Sequence, residues 1–427
     1  MKPTIYPVGE RASLYAIRTD RFKSEMLSVQ LAIPTREQTA QSCALLLELL
    51  RRGTQHYPTK ALFCRRLDDL YASSITPFNR RAGDMQLLGL AADFLGERFV
   101  GGNGGLLPHI IELMAELLYR PYLQHGQFHE PYVQSERRHL LEAIRARIND
   151  PRAYTRAKCR ALLCRGEPYA LSLIGEEDTV DAITALSLVD TWHTLLSCVT
   201  PTFFYVGNSD PARVAELLTV QFDTARGEHP VFQTEIRAHT GEPHHCTEQM
   251  PLYQAKLSIG YRTDVTLGHP LSAATAVLNE VFGGSAASKL FLGVREQRSL
   301  CYHCSSSLDL FKGTMLASAG MKVDNARVTG EAMRAEFDAI VRGEITKEEL
   351  DAAKHSLGNA YRQMCDNPGA LFGFYTGRAL MGVEETVESR RDAMLRVTKE
   401  DVVRAAAHVR EGASFFLEGT LAGEEEA

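Results

Sequence analysis

The chain has 427 residues, a hydrophobic fraction of 44% and a formal net charge of −6. That length and apolar content suit a globular protein of two or more domains with ample core. The mild acidity gives no basis for nucleic-acid binding, which requires a basic patch, and no stretch approaches the roughly 20 apolar residues of a membrane helix.

The opening Met1-Lys2-Pro3-Thr4-Ile5-Tyr6-Pro7 lacks the apolar run of a signal peptide. Nine cysteines, an odd number, form no disulfide framework. The expectation is a cytoplasmic protein with reduced thiols, neither exported nor membrane-bound.

The first strand pattern is Leu27–Ile33, followed by a polar connection and an apolar helix from about Gln38 to Leu50, which closes on Gly53-Thr54. An amphipathic segment with Leu62-Phe63 leads to Tyr71-Ala72-Ser73-Ser74, and Met85–Phe94 reads as a strand. The loop Gly101-Gly102-Asn103-Gly104-Gly105 lacks the Lys and the spacing of a phosphate cradle, so it reads as a connector. Helices follow over about Pro108–Tyr119 and Pro131–Ile148.

On the second of these, Glu136, His139 and Glu142 fall at i, i+3 and i+6, a spacing that can align metal donors. A metal would need further ligands from another element. His125 and His129 flank Gly126, which disfavours a helix there, and Arg137, Arg138 and Arg145 make a solvated charged face the simpler reading. Trp192 reads as core.

Periodicity disappears between Arg226 and Thr247, where Gly, His, Pro and Glu are dense. The expected division is therefore an N-terminal domain over 1–226, a linker over 227–247 and a C-terminal domain over 248–427. Beyond the linker, Ala255–Tyr261 reads as a strand and Pro270–Phe282 as a helix. A Gly-containing turn precedes Leu290-Phe291, and a Ser-rich strand follows Tyr302. The order of elements repeats that of the first half at a spacing of roughly 230 residues, so two similar domains are expected. Thr346-Lys347-Glu348-Glu349 reads as a capping box opening a long helix. Glu424-Glu425-Glu426 reads as a frayed, solvated end.

Two cysteine clusters have metal-like or redox-like composition, His244-His245-Cys246 and Cys301-Tyr302-His303-Cys304. A redox dithiol would be expected at a helix start, whereas the second cluster lies at a passage from helix to strand. On a strand, residues three apart point to opposite faces. Small buried hydrophobes are the simpler reading.

The most specific stretch runs from Gly283-Gly284-Ser285 through Lys289-Leu290-Phe291 and Val294-Arg295-Glu296 to Leu300-Cys301-Tyr302. It resembles the second-domain signature of pitrilysin/insulinase-type metallopeptidases (inverzincins), whose Arg and following Tyr hold substrate. Gly343-Glu344-Ile345-Thr346 with Glu349-Leu350 also resembles the family's late helix. Active members carry H-x-x-E-H on a first-domain helix closed by Gly-Thr. Counted back from Gly53-Thr54, the histidine positions hold Ala44 and Glu48, and the general-base position holds Leu47. The third ligand, a Glu seven residues beyond an earlier Glu, falls on Ala143 if Glu136 is the earlier one. Hydrolytic zinc needs three protein donors and a carboxylate to take the proton of its water. Alanine and leucine offer no lone pair, and Glu48 alone is too few; by itself it reads as an exposed carboxylate.

The resemblance implies an α+β fold of two related domains, each a largely antiparallel sheet with helices packed on one face, together forming half of a clamshell. It implies no cofactor in this chain, no catalytic residue, and a substrate arm of Arg295 and Tyr302, two side chains able to donate hydrogen bonds to peptide carbonyls. Their bland alternative is a surface ion pair and a packed strand-start tyrosine. The implied role is a noncatalytic subunit that binds unfolded peptide and pairs with a zinc-bearing paralogue, as in paired bacterial processing-peptidase-like proteins, some associated with peptide maturation and with modification of elongation factor P. Two alternatives stay open: a homodimeric peptide-binding scaffold without proteolysis, and an independent metalloenzyme using Glu136, His139 and Glu142.

Overall fold

The computed structural model describes residues 1–101, 105–229, 231–238 and 241–421. The centre of the Gly101–Gly105 loop and the Glu424–Glu426 tail lie outside the described residues. The chain forms two compact units, one of Met1–Arg145, Leu171–Gln233 and Met364–Thr386, the other of Ala146–Ala170, Thr234–Gln363 and Val387–Ala427.

The first unit is built on a six-stranded sheet with the order Thr4–Val8, Ala12–Arg18, Thr202–Gly207, Ser24–Pro34, Met85–Leu95, Ser74–Ala82. Its pairs are antiparallel except Ala12–Arg18 with Thr202–Gly207. Leu27, Val29 and Leu31 alternate onto one face and join the core formed with helices Glu37–Leu50, Leu107–Tyr119 and Ala185–Cys198. Trp192 belongs to this core, and its indole N–H donates to the Leu118 carbonyl at 2.7 Å. The opposite face is not left to water. The Pro368–Met381 helix packs there, setting Phe372 at 5.7 Å from Phe204 and under the Arg80 guanidinium at 4.3 Å. Covered on both sides, Met26–Ala32 is buried throughout.

The second unit carries a five-stranded sheet, ordered His303–Asp309, Thr314–Met321, Ala255–Thr263, Val409–Gly419, His244–Met250. Only the last pair is parallel. Leu257, Ile259 and Tyr261 face a core shared with helices Ser272–Asn279 and Ala326–Val341. The Pro151–Leu163 helix covers the other face, where the Cys159 thiol donates to the Ser258 carbonyl at 3.3 Å. A Cβ on Gly260 would lie 3.2 Å from Cys159 Sγ, so the absence of a side chain lets this helix approach. Lys312, wholly buried, pairs with Glu167 at 2.7 Å, and Arg262 completes the cluster that ties the end of this helical segment to the sheet.

The architecture is thus α+β, two related sheets with one main helical face each and a single further helix on the second face. The capping box forms as read: Thr346 N–H donates to Glu349 Oε2 at 2.9 Å and Glu349 N–H to Thr346 Oγ1 at 3.1 Å. One stretch differs from the sequence reading. His244–Met250, partly inside the expected linker, is an edge strand. Its outer residues are exposed, so it shows no apolar alternation to read.

Candidate functional site

The Glu37–Leu50 helix buries Leu45, Leu46, Leu47, Leu49 and Leu50, which leaves Glu48 turned outward, its side chain 51% exposed and 3.4 Å from Arg51. Beyond the helix, buried Glu116 accepts from the Thr54 hydroxyl at 2.6 Å and from the His56 backbone N–H at 3.0 Å, fixing the closing turn. Packed beside this helix is Glu130–Arg145, with Arg52 reaching across to Glu136.

These two helices, the edge strand at Pro77–Asn79 and Ile174 enclose a cavity of about 370 Å³. Ala44, Leu47, Glu48 and Ala143 all line it, together with Glu136 and His139. The donor set does not fit zinc. Glu136 is held by the Arg52 guanidinium, which also donates to Ser135 at 2.9 Å, and His139 Nδ1 lies 3.4 Å from Glu136 Oε2. Glu48 points to solvent, and Glu142 is exposed and does not line the cavity. Among the described residues no group of three or more His, Cys, Asp or Glu side chains is placed to hold a metal. An independent metal site on Glu136, His139 and Glu142 therefore has no support in the geometry. His245 is taken by Ser414 at 2.7 Å, and Cys246 is exposed on the edge strand.

In the second unit, a Cβ on Gly283 would fall 2.5 Å from the Ser306 backbone nitrogen, so glycine lets the turn lie directly on the strand. The helical segment Leu290–Gln297 that follows is π-wound, and it ends at Arg298, with Ser299 at φ 50° reversing the chain. Tyr302 N–H then joins the sheet, donating to Gly320 at 2.8 Å. Arg295 therefore lies on the helical segment and Tyr302 beyond the reversal. The reversal nonetheless sets both on one open depression of about 410 Å³, with Glu296, Ser299, Leu300, Cys301, Lys322 and Asn325. Arg295 stacks 4.5 Å from the Phe291 ring and contacts Glu296 at 3.1 Å. Tyr302 is 50% exposed.

The same reversal changes the reading of the cysteines. Cys301 precedes the strand, so strand alternation does not separate it from Cys304. The Cys304 thiol bonds that of Cys301 and, with the positive charge of Arg295, holds Cys301 below the usual thiol range against the opposing effect of burial. Lys322, a lining residue 27 positions from Arg295 in sequence, had no signal there beyond being a lysine.

A family model described as peptidase M16 inactive domain matches residues 182–357. The chain is 28% identical over 406 residues to a protein of Bacillus subtilis named probable inactive metalloprotease YmfF, covering 95% of each. It is also 28% identical over 319 residues to an uncharacterized zinc protease of Mycobacterium tuberculosis, covering 72% of this chain and 70% of that one. Among solved structures, a conserved protein from Enterococcus faecalis superposes with a TM-score of 0.89 at 24% identity, over 99% of this chain and 100% of the other. A peptidase M16 inactive domain from Pseudomonas fluorescens gives 0.81 at 16% identity, over 99% and 100%. The fold is that of these structures, and in the cavity lined by Ala44, Leu47, Glu48 and Ala143 the alanines and the leucine offer no zinc donor. The chain thus resembles the pitrilysin/insulinase-type family, peptidase M16, matching its inactive-domain model over residues 182–357 and an inactive relative over nearly its whole length.

Proposed function

We propose that this chain is a noncatalytic subunit that binds unfolded peptide and complements a zinc-bearing paralogue in peptide processing. The observation that carries the reading is the convergence of Ala44, Leu47, Glu48 and Ala143 on one cavity, with no metal donor set among the described residues. Without a metal-bound water the chain has no nucleophile for hydrolysis there. The open depression at Arg295 and Tyr302 supports a remaining role in binding, because a guanidinium and a phenol donate directed hydrogen bonds to peptide carbonyls or to a developing oxyanion. The substrate arm would come from this chain and the zinc from the partner. The name of the Bacillus relative, a probable inactive metalloprotease, is in keeping with the reading. Service to peptide maturation or to modification of elongation factor P rests on the resemblance alone.

The test is zinc content and peptide cleavage for the purified chain, alone and mixed with an H-x-x-E-H paralogue encoded beside it. Neither zinc nor cleavage alone, with cleavage in the mixture above that of the paralogue by itself, is the expected result. If the mixture adds nothing but the chain still binds peptide, the homodimeric scaffold takes its place.

A further inference from the structure

The Arg295 depression is lined by two cations, Arg295 and Lys322, against one anion, Glu296. Lys322 is exposed, and among the described residues no carboxylate lies within ion-pairing distance of it. Arg295 contacts Glu296, at 3.1 Å, through one of its nitrogens, and its stacking on Phe291 fixes the plane of the guanidinium. A guanidinium has five N–H donors, so this contact leaves others for a second acceptor. Glu296 is half exposed and can be displaced. Tyr302 adds a phenol on the same depression. The neighbouring Cys301 thiol, lowered chiefly by its bond with Cys304 against the effect of burial, is also favoured as thiolate by the charge of Arg295.

A neutral peptide carbonyl would satisfy one or two of these donors and leave the two cations uncompensated. A carboxylate would satisfy donors and charge together, since charge-assisted hydrogen bonds are roughly twice as strong as neutral ones. We propose that the depression is a carboxylate subsite, in which Lys322 and Arg295 receive either the C-terminal carboxylate or an acidic side chain of the bound peptide. The inference rests on the peptide-binding reading above and names the chemistry selected there.

The experiment is fluorescence anisotropy of one labelled unfolded peptide with the full chain, in three forms: fully neutral with an amidated C-terminus, the same with a free C-terminal carboxylate, and the amidated form with one Asn changed to Asp. At least one carboxylate form should bind about tenfold tighter than the neutral form, a difference of about 1.4 kcal/mol, and the form that gains identifies the source. Lys322→Glu should remove the gain, so that the carboxylate forms bind no tighter than the neutral one. Glu296→Gln should increase it by freeing Arg295. Lys347→Glu, which alters net charge equally at an exposed position outside the depression, should do neither. Equal binding of all three forms, or a gain that survives Lys322→Glu, overturns the carboxylate subsite while leaving peptide binding intact. No binding of any form overturns both.

Discussion

The Arg52 guanidinium donates to the Glu136 carboxylate across 84 residues of sequence, at the cavity lined by Ala44 and Ala143. The one carboxylate that the Glu130–Arg145 helix buries beside that cavity is thereby compensated by a protein cation. Both side chains are mostly buried, so removing one leaves the other charged and poorly solvated.

Arg52→Leu should therefore lower stability by about 1–3 kcal/mol, read as a reduced urea midpoint. The double variant Arg52→Leu with Glu136→Leu should recover part of the loss, because no charge is then stranded. A double variant at least as unstable as the sum of the two single ones would show that the pair contributes nothing through charge.

If the four cavity positions are the displaced metal site, restoring its chemistry should restore the metal. Ala44→His, Leu47→Glu, Glu48→His and Ala143→Glu together should yield about one zinc per chain by elemental analysis, on the three-ligand requirement. A folded variant with no zinc would show that these side chains do not converge as the motif requires.

Arg295→Ala with Tyr302→Ala should leave subunit pairing intact. Peptide turnover by the complex should fall about 10²-fold, the usual effect of losing a donor to a developing oxyanion. Turnover equal to that of the parent complex would remove the substrate arm from the reading.

His303, on the edge strand of the second sheet, is held neutral mainly by burial, with Arg152 and Lys256 adding like-charge repulsion, and its pKa falls from 6.5 to about 4. Its Nε2 is buried without a hydrogen-bond partner. Between those values the unfolded chain binds the proton and the folded one does not, so this contribution to stability is present above about pH 6.5 and is lost as pH falls towards about 4. Urea midpoints across that range should decline less steeply for His303→Gln than for the parent. Parallel declines would exclude His303 as a source of the acid sensitivity.

Much of the local structure was legible because its causes are local. The apolar run Leu27–Ile33 identifies a strand, the leucines of 45–50 a buried helix, and the Thr346/Glu349 reciprocity a helix start, each from neighbours a few residues away. The missing zinc donors were equally plain, since no fold can supply a lone pair that alanine and leucine lack.

What the sequence by itself determined, then, was a subset of the strands and helices, such as those within Leu27–Leu50, Met85–Tyr119 and Ala255–Phe282, the repeat of two halves, and the zinc donors absent from positions 44, 47 and 143. The tertiary structure decided which distant groups meet. Pro151–Leu163 covers the second sheet and Pro368–Met381 the first, so halves that are contiguous in sequence do not coincide with compact units. Arg52 finds Glu136, and the reversal at Ser299 brings Tyr302, Cys301 and Lys322 to Arg295. The physical reason is that periodicity and capping act over one or two turns, whereas these pairings depend on which faces remain to be buried once the sheets have formed.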